Sequence, residues 1–296
     1  MPTAKPDLLL HVGTPKTGTT SLQFALHQSH AVLLRRGILY PDVDLHPAPP
    51  KHQWIAGRLL ADEIDVFARN IDAVARQAVS SGAETVVLST EGIFNHWSDF
   101  SPAARLALGE LNRNFSVKVW CVFREPLSFA MSFYCQLLKN RPSHLSPCYG
   151  TALPPEDIVD HPWFAQRLDY RGFIEDIGDL FPAVAATRYE SADTVAQARS
   201  LLGVGEDVLP GAPMRNQSPS ALGADLMRRL NRLRPEPEER DALATMIAEI
   251  DQRLRPVSEP LRASEAVAEK VRTLSEVSVR YLTERFDISW SRRGGA

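Results

Sequence analysis

Leu8-Leu9-Leu10-His11-Val12-Gly13-Thr14-Pro15-Lys16-Thr17-Gly18-Thr19-Thr20-Ser21 is the stretch whose reading decides the fold. The apolar run predicts a buried strand. Gly13 and Gly18 bracket a short loop that carries one lysine. The hydroxyl cluster after it opens an amphipathic helix from Leu22 to Gln28 and beyond. Strand, glycine loop and helix, in that order, aim backbone N–H groups and a helix N-terminus at a bound phosphate. Gly13 to Gly18 matches the first half of the nucleoside-triphosphate pattern G-x-x-x-x-G-K-[ST], which would want Lys at 19. Position 19 is Thr, and the lysine sits inside the loop at 16. A cation there can touch a bridging or leaving oxygen rather than reach along a triphosphate. A plain Gly-rich turn between strand and helix is the competing reading.

Working outward, Ser21 to about Arg36 predicts a helix ended by Gly37. Ile38–Pro41 is a short extended piece, and 41–50, rich in Pro, Asp and His, a loop. Trp54 to about Ser80 carries apolar residues at helical spacing, and Thr85–Ser89 is a second buried strand stopping at Thr90-Glu91-Gly92. A helix over Pro102–Asn112 leads to a third strand, Val117–Phe123, closed by Arg124. Pro126 suits the first turn of the next helix, which runs to about Asn140. Residues 141–162 hold five prolines between aromatics and read either as a flap over an acceptor site or as a surface connection. Phe164–Leu180 reads as a helix and Ala183–Tyr189 as a fourth strand. Beyond Ser191 the pattern turns helical over Thr194–Leu202, Ser220–Leu233, Glu238–Leu254 and Ser264–Phe286, with Glu236–Arg240 read as a solvated face.

Strands alternating with helices predict an α/β fold whose parallel sheet is covered on both faces. Ligands of such sheets sit at the carboxyl ends of the strands. Gly13–Thr20, Thr90-Glu91 and Arg124 all fall there.

The net charge of −3 makes no global case for nucleic acid or an anionic membrane. No apolar run is long enough for a transmembrane helix. The N-terminal apolar stretch, broken by His11 and Gly13, lacks a signal-peptide core. Cys121, Cys135 and Cys148 have no metal-ligand spacing and leave one cysteine unpaired, which suits a reducing, cytoplasmic setting. No metal-ligand cluster is evident.

His11 to Gln23 resembles the 5′-phosphosulfate loop of the sulfotransferases that use 3′-phosphoadenosine 5′-phosphosulfate (PAPS). It is closer to the bacterial and carbohydrate-type members than to the animal cytosolic ones, which usually place a tryptophan after the two threonines. Ser21 stands there, so an adenine platform must come from elsewhere. Val122-Phe123-Arg124-Glu125-Pro126 through Ser132-Phe133-Tyr134 resembles the family's 3′-phosphate segment.

The resemblance implies a three-layer, P-loop NTPase-like fold in a single domain, 1–296, with a nucleotide-binding core over 5–190 and a mostly helical part over 191–290. It implies PAPS as co-substrate, with no metal. Pro15, Lys16, Thr17, Gly18, Thr19 and Thr20 would hold the 5′ end, and Arg124 and Ser132 the 3′-phosphate. Tyr189 would lie near adenine, and Arg215, Asn216 and Ser218 belong to a late loop closing over the nucleotide.

Sulfuryl transfer is then alignment plus neutralisation of charge on the departing phosphate, a role that fits Lys16. An acceptor hydroxyl needs a base. Glu91 is the first candidate and His52 the second. His96 follows, with Asp42 and Asp44 in reserve. The loop style points to a carbohydrate or glycolipid acceptor. A phenol or alcohol sulfotransferase, a P-loop kinase and a non-catalytic nucleotide-binding module are the alternatives.

Overall fold

The structure is a computed structural model and describes residues 5–47, 50–143, 146–189, 194–211 and 219–290. Strand β1 (Asp7–Gly13) runs through the glycine loop into α1 (Thr19–Gln28) and α2 (His30–Leu34). Next come β2 (Ile38–Leu39), then β3 (His46–Pro47) paired antiparallel with β4 (Pro50–Lys51). Helices α3 (Trp54–Leu60) and α4 (Ile64–Ser81) lead to β5 (Thr85–Ser89). Three short helices follow, α5 (Gly92–His96), α6 (Pro102–Gly109) and α7 (Leu111–Asn114), before β6 (Ser116–Phe123). Then come α8 (Pro126–Lys139), α9 (Pro155–Asp160), α10 (Pro162–Ala165), α11 (Tyr170–Leu180) and β7 (Ala183–Arg188). The remaining elements are helical: α12 (Thr194–Leu202), α13 (Ala221–Leu233), α14 (Pro237–Leu254) and α15 (Glu265–Phe286).

The protein is α/β, with a five-stranded sheet of order β2-β5-β1-β6-β7 in which every pairing is parallel. Strand β1 lies at the centre, between β5 and β6. A strand buried on both faces needs apolar residues at every position, which is why Leu8 to Leu10 read as one run. Leu9, Val87, Trp120 and Val122 pack beneath Leu22, Ala25 and Leu26 of α1 and Val195 and Ala198 of α12. On the opposite face Leu8, Leu10, Val119, Cys121 and Phe123 are buried. There Phe123 stacks on Tyr170 of α11 at 4.8 Å and meets Phe94 of α5 edge-on.

Several expected elements are divided in the structure. The helix expected from Ser21 to Arg36 starts at Thr19 and breaks at Ser29 into α1 and α2. The expected Trp54–Ser80 helix breaks at 61–63, where Asp62 takes a positive φ of 52°. Helical apolar spacing continues across both breaks, so periodicity alone cannot reveal them. The 41–50 loop contains β3 and the start of β4, and the proline-rich 141–162 stretch contains α9. The expected Phe164–Leu180 helix is α10, a 3₁₀ turn over Gln166–Leu168, and α11. The short extended piece at Ile38 is one of the sheet's two edge strands.

The chain gathers into two compact units whose limits differ from the expected 5–190 and 191–290 parts. The first is drawn from 1–124, 170–215 and 280–296 and carries the sheet; the second comprises 125–169 and 216–279. Within the second unit, Arg240 departs from the solvated face expected for Glu236–Arg240. It is buried and donates to the carbonyls of Leu138, Lys139 and Asn140, the orphan acceptors at the end of α8. Asn231 accepts from Arg240 Nε and donates to Leu138 and Thr151 carbonyls.

At the end of β1, Gly13 has φ +145° and pairs with Val122. A Cβ built there would stand 2.3 Å from Val122 O and 2.6 Å from Val122 N. Gly13→Ala is therefore expected to destabilise the protein by about 3 kcal/mol or more, through backbone strain and overpacking together. Urea denaturation monitored by circular dichroism checks this, and an unchanged midpoint would contradict it.

Candidate anion site and its flanking carboxylate

The loop after Gly13 is built from its own hydroxyls. Thr14 N–H donates to Val122 O at 3.0 Å, and Thr14 Oγ1 accepts from Arg124 N–H at 3.1 Å. Thr17 Oγ1 donates to Thr14 O at 2.8 Å and lies 3.3 Å from Thr19 Oγ1. Thr194 Oγ1 reaches across from α12 to donate to Thr17 O at 2.7 Å. Thr14 and Thr17 are fully buried, and the Thr17 hydroxyl is engaged within the loop. Pro15 is buried as well, whereas Lys16, Gly18 and Thr20 are partly exposed.

Lys16 adopts φ +71°, a left-handed conformation uncommon for a residue with a Cβ. Such conformations persist where surrounding contacts hold them, and they cluster at ligand clamps. Gly18, at φ +73°, is the N-cap of α1 and supplies no side-chain cap. The leading N–H groups of a helix have no partner inside it and carry its positive dipole end.

Arg124 joins this loop. Its Nη1 donates to Lys16 O at 3.1 Å, and its Cζ stands 5.5 Å from the centre of the Tyr189 ring. Tyr189 extends the sheet ladder through N–H to Phe123 O at 2.6 Å. A Cβ on Gly18 would come within 3.3 Å of Tyr189 Cε2. Lys16, Gly18, Arg124 and Tyr189, drawn from three separate stretches of sequence, therefore share one edge of the sheet.

Ser132 lies on α8 in the second unit. Its hydroxyl is buried and has no hydrogen-bond partner among the described residues. Arg215, Asn216 and Ser218 lie outside the described residues.

The carboxyl end of β5 carries the candidate bases. His52 is buried and both ring nitrogens are engaged: Nδ1 accepts from Ser89 N–H at 3.1 Å and Nε2 donates to Pro41 O at 3.0 Å. Burial pushes its pKa down to about 4. A neutral imidazole bonded on both sides is a staple between loop and strand, so His52 is set aside as the base. His96 is bonded through Nδ1 to Asp99 and through Nε2 to Asn95. Asp42 pairs with Gln77, and Asp44 with Arg58 and Asn70.

Glu91 differs from these. It follows β5 by two residues, and Oε2 is buried with no hydrogen-bond partner. Oε1 lies 4.0 Å from Lys51 Nζ, and burial, with the nearby Glu91 adding to it, raises the pKa of Tyr40. Lys51 was not singled out from the sequence. Its only signal is a lone basic residue beside His52, and nothing local says that β4 returns to the edge of β5.

Beneath the loop lies a buried polar group. His11 Nδ1 is 2.8 Å from Ser89 Oγ, to which Gln23 Nε2 also donates at 3.2 Å. His11 packs against Trp120, and burial lowers its pKa to about 3. Among the described residues no group of three or more His, Cys, Asp or Glu could hold a metal ion, and no helix is long and apolar enough to cross a membrane. Comparison with protein-family profiles and with curated proteins finds no match for the chain.

The two depressed histidines set a pH dependence. Their folded pKa values, about 3 for His11 and about 4 for His52, lie below the unfolded value of 6.5. The unfolded state therefore takes up protons first as pH falls below 6.5, and stability is lost down to about 4 for His52 and about 3 for His11. Each contributes at most about 1.4 kcal/mol per pH unit. Urea denaturation at pH 7, 6 and 5 is expected to show this slope, and His52→Gln to flatten it by one proton's share. An identical slope in the variant would contradict the assignment.

Proposed function

We propose that this protein is a PAPS-dependent sulfotransferase of P-loop-like fold, acting on an acceptor hydroxyl. The observation that carries the reading is the 3.1 Å bond from Arg124 to the Lys16 carbonyl. It sets the strand-ending guanidinium on the same sheet edge as the phosphate-type loop, and a donor nucleotide with anions at both 5′ and 3′ positions calls for two cations along one groove. The uncapped start of α1 and the left-handed Lys16 supply the 5′ end of such a site. Arg124, whose guanidinium presents a fork of N–H donors, suits the 3′-phosphate. Tyr189 offers an aromatic face in place of the tryptophan that Ser21 replaces.

The donor supplies an electron-poor sulfuryl group on a phosphate leaving group. Lys16 neutralises charge where the departing phosphate gathers it, and the N–H groups of Gly18 to Thr20 fix that phosphate in line. Glu91 accepts the proton of the acceptor hydroxyl. The absence of Lys at position 19 argues against long reach along a triphosphate. A carbohydrate or glycolipid hydroxyl is the acceptor that fits the loop style, in a cytoplasmic setting.

Transfer of radiolabelled sulfate from PAPS to sugars, phenols and lipids tests the activity, and calorimetry with adenosine 3′,5′-bisphosphate tests the site alone. Lys16→Ala is expected to cut kcat by about 100-fold or more while changing bisphosphate affinity modestly. Arg124→Ala is expected to weaken bisphosphate binding by about 30-fold, the loss of a charge-assisted hydrogen bond. Unchanged kcat in the first, or tight binding of ATP with Mg²⁺ in preference to the bisphosphate, would overturn the reading.

A further inference from the structure

Lys51 and Glu91 face each other across a gap. Their charged atoms are 4.0 Å apart, beyond hydrogen-bond length, and the side chains are only 20% and 27% exposed. Some ion pairs of this chain close to contact, such as Arg171–Glu175 at 2.9 Å and Lys270–Asp160 at 2.6 Å, and Lys51 and Glu91 do not.

The backbone on each side of the gap is pinned. Lys51 is followed by His52, whose N–H donates to Ser89 O at 3.2 Å and whose ring bonds both Ser89 N–H and Pro41 O. It is preceded by Pro50, whose carbonyl accepts from Tyr40 Oη at 2.6 Å. Glu91 is followed by Gly92, where a Cβ would stand 2.5 Å from Ala56 Cβ, so α5 and α3 are in close contact there.

A hydroxyl matches what the gap lacks. An ammonium only donates, an ionised carboxylate only accepts, and a hydroxyl does both. An oxygen about 2.8 Å from each group would subtend about 90° between them. We infer that Lys51 and Glu91 together form the acceptor subsite, selecting a neutral alcohol that donates its proton to Glu91 and accepts a hydrogen bond from Lys51. This rests on the sulfuryl-transfer reading above. As the acceptor O–S bond forms, the S–O bond to the 5′-phosphate breaks, its electron pair stays on that phosphate, and the hydroxyl proton moves to Glu91. An acidic phenol arrives already ionised and has no use for a base. The subsite therefore belongs to alcohols of the sugar type.

The test compares methyl glycosides of galactose, glucose and N-acetylglucosamine with 4-nitrophenol as acceptors. Lys51→Met is expected to raise KM for the glycosides about tenfold or more, with adenosine 3′,5′-bisphosphate affinity held within about twofold by calorimetry. Lys51→Arg, which keeps a donor, restores most of the loss. Glu91→Gln is expected to cut glycoside kcat by about 100-fold but the 4-nitrophenol rate by less than about tenfold. Unchanged glycoside KM in Lys51→Met, or equal losses for both acceptor classes in Glu91→Gln, overturns the subsite. So does a wild-type protein that binds the bisphosphate but transfers sulfate to none of these acceptors. Failure to bind the bisphosphate at all sinks the underlying reading instead.

Discussion

Between Gly13 and Val122 there is no room for a side chain. That close approach lets the central strand deliver Thr14 N–H onto Val122 O, and Thr14 in turn accepts from the backbone of Arg124. Loop and strand end thus hold each other, and the bond from Arg124 to the Lys16 carbonyl is made from that fixed base. The left-handed conformation of Lys16 is sustained from both sides: Thr17 folds back onto Thr14 O, and Thr194 arrives from α12 onto Thr17 O.

The polar groups along this edge divide by commitment. His52, Ser89, Thr14 and Thr17 are buried and spend their hydrogen bonds on the scaffold, and buried His11 bonds Ser89 through Nδ1. Both histidines are kept neutral by burial, which suits a structural imidazole and costs stability in acid. Glu91 retains a buried oxygen with no partner among the described residues.

Much of the fold was legible in the chain because its signals are local. Thr85–Ser89 and Thr194–Leu202 form where their patterns predict, and Pro126 opens α8 as its fixed φ allows. The breaks at Ser29 and Asp62 were not legible, since apolar spacing runs on across them. Nor was the burial of Arg240, whose charged neighbours read as surface. Its guanidinium is drawn inward by the carbonyls at the end of α8, about a hundred residues earlier.

By itself the sequence determined the strand, glycine loop and helix at 8–28 and the glycines its turns demand, because apolar runs and backbone sterics act over a few residues. It also placed Gly13–Thr20, Glu91 and Arg124 at strand ends, since parallel α/β connections leave loops there. Only the tertiary structure decided that His52 is a staple, that Lys51 stands opposite Glu91, and that Arg124 reaches the Lys16 carbonyl. Those outcomes depend on which distant segments return to the same edge, and hydrogen-bond partners so far apart in the chain are set by packing rather than by spacing.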